Sequence, residues 1–204
     1  MLVRSILMNK QRGFYVDAGA HEPDRYSNTA WFYRYGWSGL NIEANPELGA
    51  KLEKKRPRDT NVVCGVGSAL EPLEFFVFNE AAVSTFDPGL AREYELRNPN
   101  WFVTSTKKIA VRPLAEILDQ HVPPGQAIDF LTVDVEGWDL DVLQSNDWER
   151  YLPTVVAVEC HGNDCSSVQA DPVSELLCPL GYVAVAKTFS TVIFVQPGQL
   201  PART

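Results

Sequence analysis

Residues 182–196 read YVAVAKTFSTVIFVQ: two β-branched runs of strand length with only TFS between them. A parallel neighbour needs a crossover of about a dozen residues or more, so these two runs must pair as an antiparallel hairpin. Upstream, the runs FYVDAGA, GLNIEAN, NVVCGVG, DFLTVDVEG and TVVAVECHG are separated by stretches long enough for crossover helices. Alternation of this kind predicts a mostly parallel sheet with helices on both faces. The chain is therefore expected to build a seven-stranded sheet, parallel except for the hairpin that ends it. That is the arrangement of the class I methyltransferases (Rossmann-like), and it argues against a plain dinucleotide-binding fold.

Helical spacing or helix-start signals fall at 29–36, 46–55, 138–147 and 168–180. The pair Asn45-Pro46 places a good N-cap before a proline at the first helical position. From Glu71 to Val111 the pattern changes, with LEFFVF as a strand, STFDPG as a turn and LAREYELRN as a short helix. This stretch is expected to be an insertion over the active-site edge of a single domain spanning 1–204, and residues 197–204 a loose tail.

At 204 residues the chain fits one core, and no apolar run reaches the ~20 residues needed to span a bilayer. Eighteen Lys and Arg against 26 Asp and Glu leave a net charge of -8, which disfavours a nucleic-acid partner. The basic run KLEKKRPR, 51–58, reads as the solvated end of a helix, where cations suit the dipole. The N-terminal stretch lacks the features of a secretory signal, so a cytoplasmic location is expected. Cys64, Cys160, Cys165 and Cys178 contain no C-x-x-C pair and read as free buried thiols. Cys160, His161 and Cys165 lack a fourth zinc ligand.

The chemistry is expected at the carboxyl ends of the strands, where ligands of open parallel sheets bind. GFYVDAGAHEPDRYSNT, 13–29, begins as a strand and bends at Gly19, whose bare backbone admits close approach. His21 and Asp24 stand where a dinucleotide fingerprint would have glycines, so a pyrophosphate is disfavoured. Asp17 is placed to offset a cationic ligand, and Glu43, some twenty residues on, to accept hydrogen bonds from ribose hydroxyls.

A second constellation follows in DFLTVDVEGWDLDVL and VVAVECHG. Asp134 and Glu136 are two apart, as are Glu159 and His161, so each pair is expected on one face of its strand. Four such side chains at neighbouring strand ends can build a general-base site or a hard-cation site. Taken one at a time, each is as readily a helix cap or a satisfied turn histidine.

These blocks resemble the FkbM-type methyltransferases that use S-adenosylmethionine. The resemblance runs through FYVDAGAHEPDRYSNTAWFYRYGWSGLNIEANP, FFVFNEAAVSTF, DFLTVDVEGWDLDVLQSNDW with VVAVECHG, and AKTFSTVIFV, and so covers most of the chain in order. It is nearest to the branch associated with bacterial polysaccharide and O-antigen gene clusters. It implies that Asp17, Gly19 and His21 border the methionine part of the cofactor, that Glu43 and Asn45 hold the ribose, and that Val66 and Gly67 flank adenine. Ser27, Asn28 and Thr29 would line the cofactor or acceptor pocket, with Asp134 also near the cofactor. His21 and Glu22 depart from the family's usual turn, where many members have Asn and a further residue before glycine.

The expected activity is thus O-methyl transfer to a sugar hydroxyl, on a nucleotide sugar or a lipid-linked sugar. His161 is the preferred base because histidine titrates near neutral pH. Asp134 and Glu136 would orient the acceptor, or Asp134, Glu136, Glu159 and His161 would hold Mg²⁺. Two rivals are a non-catalytic module binding a nucleotide-like ligand and an NAD-dependent oxidoreductase, which the missing glycines oppose. The aromatic cluster Trp31, Phe32, Tyr33, Tyr35 and Trp37 suits helix packing better than sugar stacking. A homodimer is compatible with the sequence, which leaves oligomeric state open.

Overall fold

The computed structural model describes residues 2–7, 10–160, 168, 171–196 and 198. A central sheet is made by β1 (Phe14–Ala18), β2 (Ser38–Glu43) and β3 (Thr60–Val63), later joined by β8 (Phe130–Val133), β9 (Val155–Glu159), β10 (Val183–Lys187) and β11 (Thr191–Val195). Its order is β10-β11-β9-β8-β1-β2-β3, with β11 antiparallel to both its neighbours and the other pairings parallel. The short TFS link does force a hairpin. Strand order reverses between β1 and β8, and that opens a crevice at their carboxyl ends.

Alternation along β1 sends Phe14, Val16 and Ala18 to one face of the sheet and Tyr15 to the other. The first face is covered by α5 (Leu114–His121), α6 (Asp139–Gln144) and α7 (Pro172–Leu177). The second is covered by α1 (Leu2–Ile6) and α2 (Ala30–Arg34), through Val3, Leu7 and Phe32. Helix α3 (Pro46–Lys55) begins as its sequence predicts: Asn45 is the N-cap, its side chain accepting from the Glu47 N–H, with Pro46 next. Among the described residues no helix is long and apolar enough to cross a membrane.

Several local expectations are corrected. NVVCGVG is not one strand: β3 stops at Val63, and Gly65–Val66 forms β4, which leaves the main sheet to pair with β7 (Val111–Arg112). A Cβ on Gly65 would lie 2.7 Å from the Phe86 ring and 3.0 Å from Val111, so glycine is what lets the chain cross there. Helix α5 and strand β6 (Val103–Ile109) were not read from the sequence. Strand β6, VTSTKKI, has no apolar run and exists through its antiparallel pairing with β5 (Leu73–Phe78). The β5–β6 pair and the intervening α4 (Pro88–Arg97) bury Phe78, Val83, Ala91 and Tyr94 in a cluster of their own.

The basic run does form the solvated end of α3 at Lys51, Lys54 and Lys55, but Arg56 departs from that reading. It is 1% exposed, and its guanidinium donates to the Pro23 carbonyl, Ser27 Oγ (2.6 Å) and Thr29 Oγ1 (2.7 Å). The parallel register explains why a cation belongs there. Asp17 pairs with Asn41 on one side and Thr132 on the other, so polar side chains form a row on one sheet face, and Asn61 extends it by accepting from Asn41 (2.8 Å). Segment 23–29 closes over this row and Arg56 ties the two together. Cys178 is exposed, unlike the buried thiols of Cys64 and Cys160; Cys165 and the 197–204 tail (except Gly198) lie outside the described residues.

Candidate active site

The Gly19 turn is stapled to the end of β2. The N–H groups of Gly19 and Ala20 donate to the Ile42 carbonyl (3.0 and 3.1 Å), and the His21 N–H donates to Glu43 Oε2 (2.7 Å). Gly19 has φ +85, and a Cβ there would stand 1.9 Å from the Asp134 carbonyl oxygen. Only glycine can make this bend while β8 ends against it. Glu43 also accepts from the Asn45 N–H (2.7 Å), and burial raises its carboxyl pKa to about 7.

These residues form one wall of a cleft with about 550 Å³ of empty space. Gly65, Val66, Phe75 and Phe86 line it with apolar surface, and Asp134, Glu136 and Trp138 line it as well. Its mostly apolar walls with a few polar groups are the make-up of a small-molecule site.

Asp134 and Glu136 are brought together with Glu159, one oxygen of each lying within 4.8 Å of the others. They do not share a strand face, as the sequence spacing suggested. Strand β8 ends at Val133, and Glu136 has φ +53, so a tight turn makes them converge. Asp139 holds that turn by accepting from the Val135 and Gly137 N–H groups (3.1 and 3.3 Å). Burial, then repulsion from Asp134 and Glu136, pushes the Glu159 carboxyl up to about 9, and burial raises Glu136 to about 7.

Three further residues complete this edge, and the sequence carried no local signal for them. The Tyr94 hydroxyl, from α4, donates to Glu136 Oε2. Thr85 Oγ1 donates to the Glu136 carbonyl (2.8 Å), and Phe86 lies 5.9 Å, ring to ring, from Trp138. Segment 71–111 therefore supplies one wall of the cleft and grips the carboxylate at its rim.

Other expected site residues lie elsewhere. Asp17 is buried beneath the turn, accepts from Thr29 Oγ1 (2.6 Å), and is not among the residues lining the cleft. Burial raises its pKa to about 6. Asn28 donates to Thr132 Oγ1 (3.2 Å), and Asn45 caps α3. Gly67 backs onto the Asp141 carboxylate, next to the Val66 that does line the cleft. Glu22 turns outward to Lys51 (2.8 Å). His161 lies outside the described residues. In the aromatic cluster, Phe32 and Trp37 are core and Trp31 stacks on Tyr35 (4.2 Å); none lines the cleft.

A parallel sheet closed by an antiparallel hairpin, with a cleft at the reversal of strand order, defines the class I methyltransferase architecture. The family model of the methyltransferase FkbM domain matches residues 17–184, and the chain belongs to that family. A crystal structure of methyltransferase FkbM from Methylobacillus flagellatus KT aligns at a TM-score of 0.49 with 16% identity, over 91% of this chain and 44% of that one. The chain thus spans less than half the length of that protein. No curated protein matches it significantly.

Proposed function

We propose that the chain is an S-adenosylmethionine-dependent methyltransferase that methylates a hydroxyl of a sugar. The observation that carries this reading is the meeting of two features at one cleft: Glu43 with the Gly19 turn, and the Asp134 and Glu136 carboxylates, which also line it and are joined by Glu159. The cofactor fits this chain's residues. Gly19 lets the turn and the end of β8 pack together beside the cleft, Glu43 accepts hydroxyl donors, and Val66 with Phe86 offers apolar surface to a base. When bound, the cofactor supplies an electrophilic methyl group on a sulfonium.

The carboxylates of Asp134, Glu136 and Glu159 would act on the acceptor. Transfer needs the acceptor oxygen in line behind the methyl carbon, so most of the rate comes from holding it there. As the new C–O bond forms, the O–H proton must leave, and a positioned base adds about 10²–10⁴-fold. Glu136, one oxygen held by Tyr94 and its backbone by Thr85, is the best-oriented acceptor for that proton. His161, two residues beyond Glu159 in the chain, is the alternative. Loss of turnover in Glu136→Gln with turnover kept in His161→Asn selects the first, and the reverse selects the second.

The three carboxylate oxygens within 4.8 Å of one another also suit Mg²⁺, with oxygen ligands the only kind required. EDTA abolishing activity, restored by Mg²⁺, selects that reading. The family resemblance supports a nucleotide-sugar or lipid-linked sugar as acceptor, in the cytoplasm, within polysaccharide or glycoconjugate assembly. Segment 71–111 is read as an insertion into a single domain, shaping the acceptor side.

Cofactor binding is tested by thermal shift. A ligand at ~100 Kd adds about 2.7 kcal/mol, or roughly 5–10 °C for a chain of this size; S-adenosylhomocysteine is expected to give that shift and NAD none. Transfer is tested with radiolabelled cofactor against nucleotide sugars and oligosaccharides. A chain that takes the cofactor but methylates no member would instead favour the non-catalytic binding module.

A further inference from the structure

We propose that His21 is a recognition residue for the ribose of the cofactor: its Nε2 accepts a hydrogen bond from one hydroxyl of the diol while Glu43 accepts from the other. The inference rests on the cofactor reading above and adds to it a residue and a hydrogen-bond polarity.

His21 has φ +53, in the left-handed region that side-chain-bearing residues enter rarely. The turn keeps it there because its N–H donates to Glu43 Oε2 (2.7 Å), which ties the residue's backbone to that carboxylate. Both residues line the cleft. On the ring, Nδ1 lies 3.3 Å from the Arg25 carbonyl oxygen. A carbonyl can only accept, so Nδ1 carries the proton, and in the neutral ring Nε2 is left with a lone pair.

Nε2 is shielded from solvent and has no hydrogen-bond partner among the described residues. A buried acceptor left without a donor is costly, so a ligand that brings a donor to it gains affinity. Two acceptors on hydrogen-bonded residues that line one cleft, an imidazole nitrogen and a carboxylate, suit a ligand that presents two neighbouring donors. A vicinal diol does so. A pyrophosphate, which offers only acceptors, is rejected at this corner, and that gives a polar reason for the absence of dinucleotide-type glycines in the turn.

The test is calorimetric and needs no acceptor. His21→Asn suits it because asparagine tolerates the left-handed backbone yet is too short to reach the Nε2 position. Binding of S-adenosylhomocysteine and of 5′-methylthioadenosine, which shares the ribose but lacks the amino-acid end, is measured on the wild-type chain and on H21N. The expected result is a loss of about tenfold for both ligands by the same factor, the size of one hydrogen bond. The wild-type preference for adenosine over 2′- or 3′-deoxyadenosine should shrink by that factor in H21N. Loss for S-adenosylhomocysteine alone would move the donor to the ammonium group and overturn the proposal, as would unchanged affinity for both. A wild-type chain that binds neither ligand sinks the cofactor reading itself, whereas a binding wild type with an indifferent H21N sinks only the role of His21.

Discussion

Replacing Arg56 with alanine is expected to destabilise the fold by about 3–5 kcal/mol, the usual cost of removing one partner from a buried charged network. The structure supplies the parts of that figure. The guanidinium donates to three oxygens on the 23–29 segment, Pro23 O, Ser27 Oγ and Thr29 Oγ1, and hydrogen bonds to charged groups contribute about 1.5–3 kcal/mol each before the cavity relaxes. It also offsets the buried Asp17 and Asp59. At about 2–4 °C per kcal/mol for a chain of this length, Tm should fall by roughly 10 °C or more. Arg56→Lys keeps the charge but not the planar fork, and should lose an intermediate amount. The loss should also depend on pH. The pKa of Asp17 is raised from 3.8 to about 6 in the folded state, so its native form binds more protons between those values, and its contribution is present at low pH and fades as pH rises through 6. Without Arg56 that pKa climbs further, so R56A should be less destabilised at pH 5 than at pH 8, by about 1–2 kcal/mol. Urea denaturation followed by tryptophan fluorescence at the two pH values measures this. An R56A chain within 1 kcal/mol of wild type, or a penalty larger at pH 5, would refute the argument that Arg56 is the clamp of a buried acidic row.

Gly19→Ala adds a methyl group 1.9 Å from the Asp134 carbonyl oxygen on a backbone with φ +85, so the end of β8 must shift. Cofactor-product affinity should fall at least tenfold by calorimetry while far-UV circular dichroism stays native. Tyr94→Phe keeps the ring between Phe78 and Trp101 but deletes the hydroxyl that holds Glu136. It should leave S-adenosylhomocysteine affinity unchanged and cut kcat about 10-fold or more; in combination with Glu136→Gln it should add nothing, since both act through one carboxylate. In the proposed ribose contact, the Glu43 carboxyl, raised to about 7 by burial, would accept hydroxyls best when ionised. Affinity for S-adenosylhomocysteine should therefore tighten as pH rises towards 7 and level off above it. Glu43→Gln should bind about tenfold more weakly and flatten this limb; a limb that survives the substitution belongs to another group.

Much of the site's frame was legible because its signals are local. The Gly19 turn, Glu43 at the end of a strand and the Asn45-Pro46 helix start each depend on a few neighbouring residues. Asp17 was misplaced for a related reason: alternation along β1 says that it shares a face with Tyr15, but not whether that face meets ligand or protein. The answer lay in Arg56, which sequence placed on a solvated helix end and which packing draws inward. Likewise the i, i+2 spacing of Asp134 and Glu136 marked them as a pair, yet their convergence comes from a turn at φ +53 and not from strand pleat.

The hairpin constraint, the period of the strands and the glycine turn are written in short stretches of chain, where steric and hydrogen-bond rules act within a few residues. They set the sheet, its ending and the end at which chemistry is done. The long-range partners are different in kind. Tyr94 meets Glu136 across 42 positions, Arg56 meets Ser27 across 29, and His21 finds its acceptor role through Glu43 across 22. Contacts at such separations have no periodic trace in the sequence, because they arise only when register and packing bring distant segments to the same edge of the sheet.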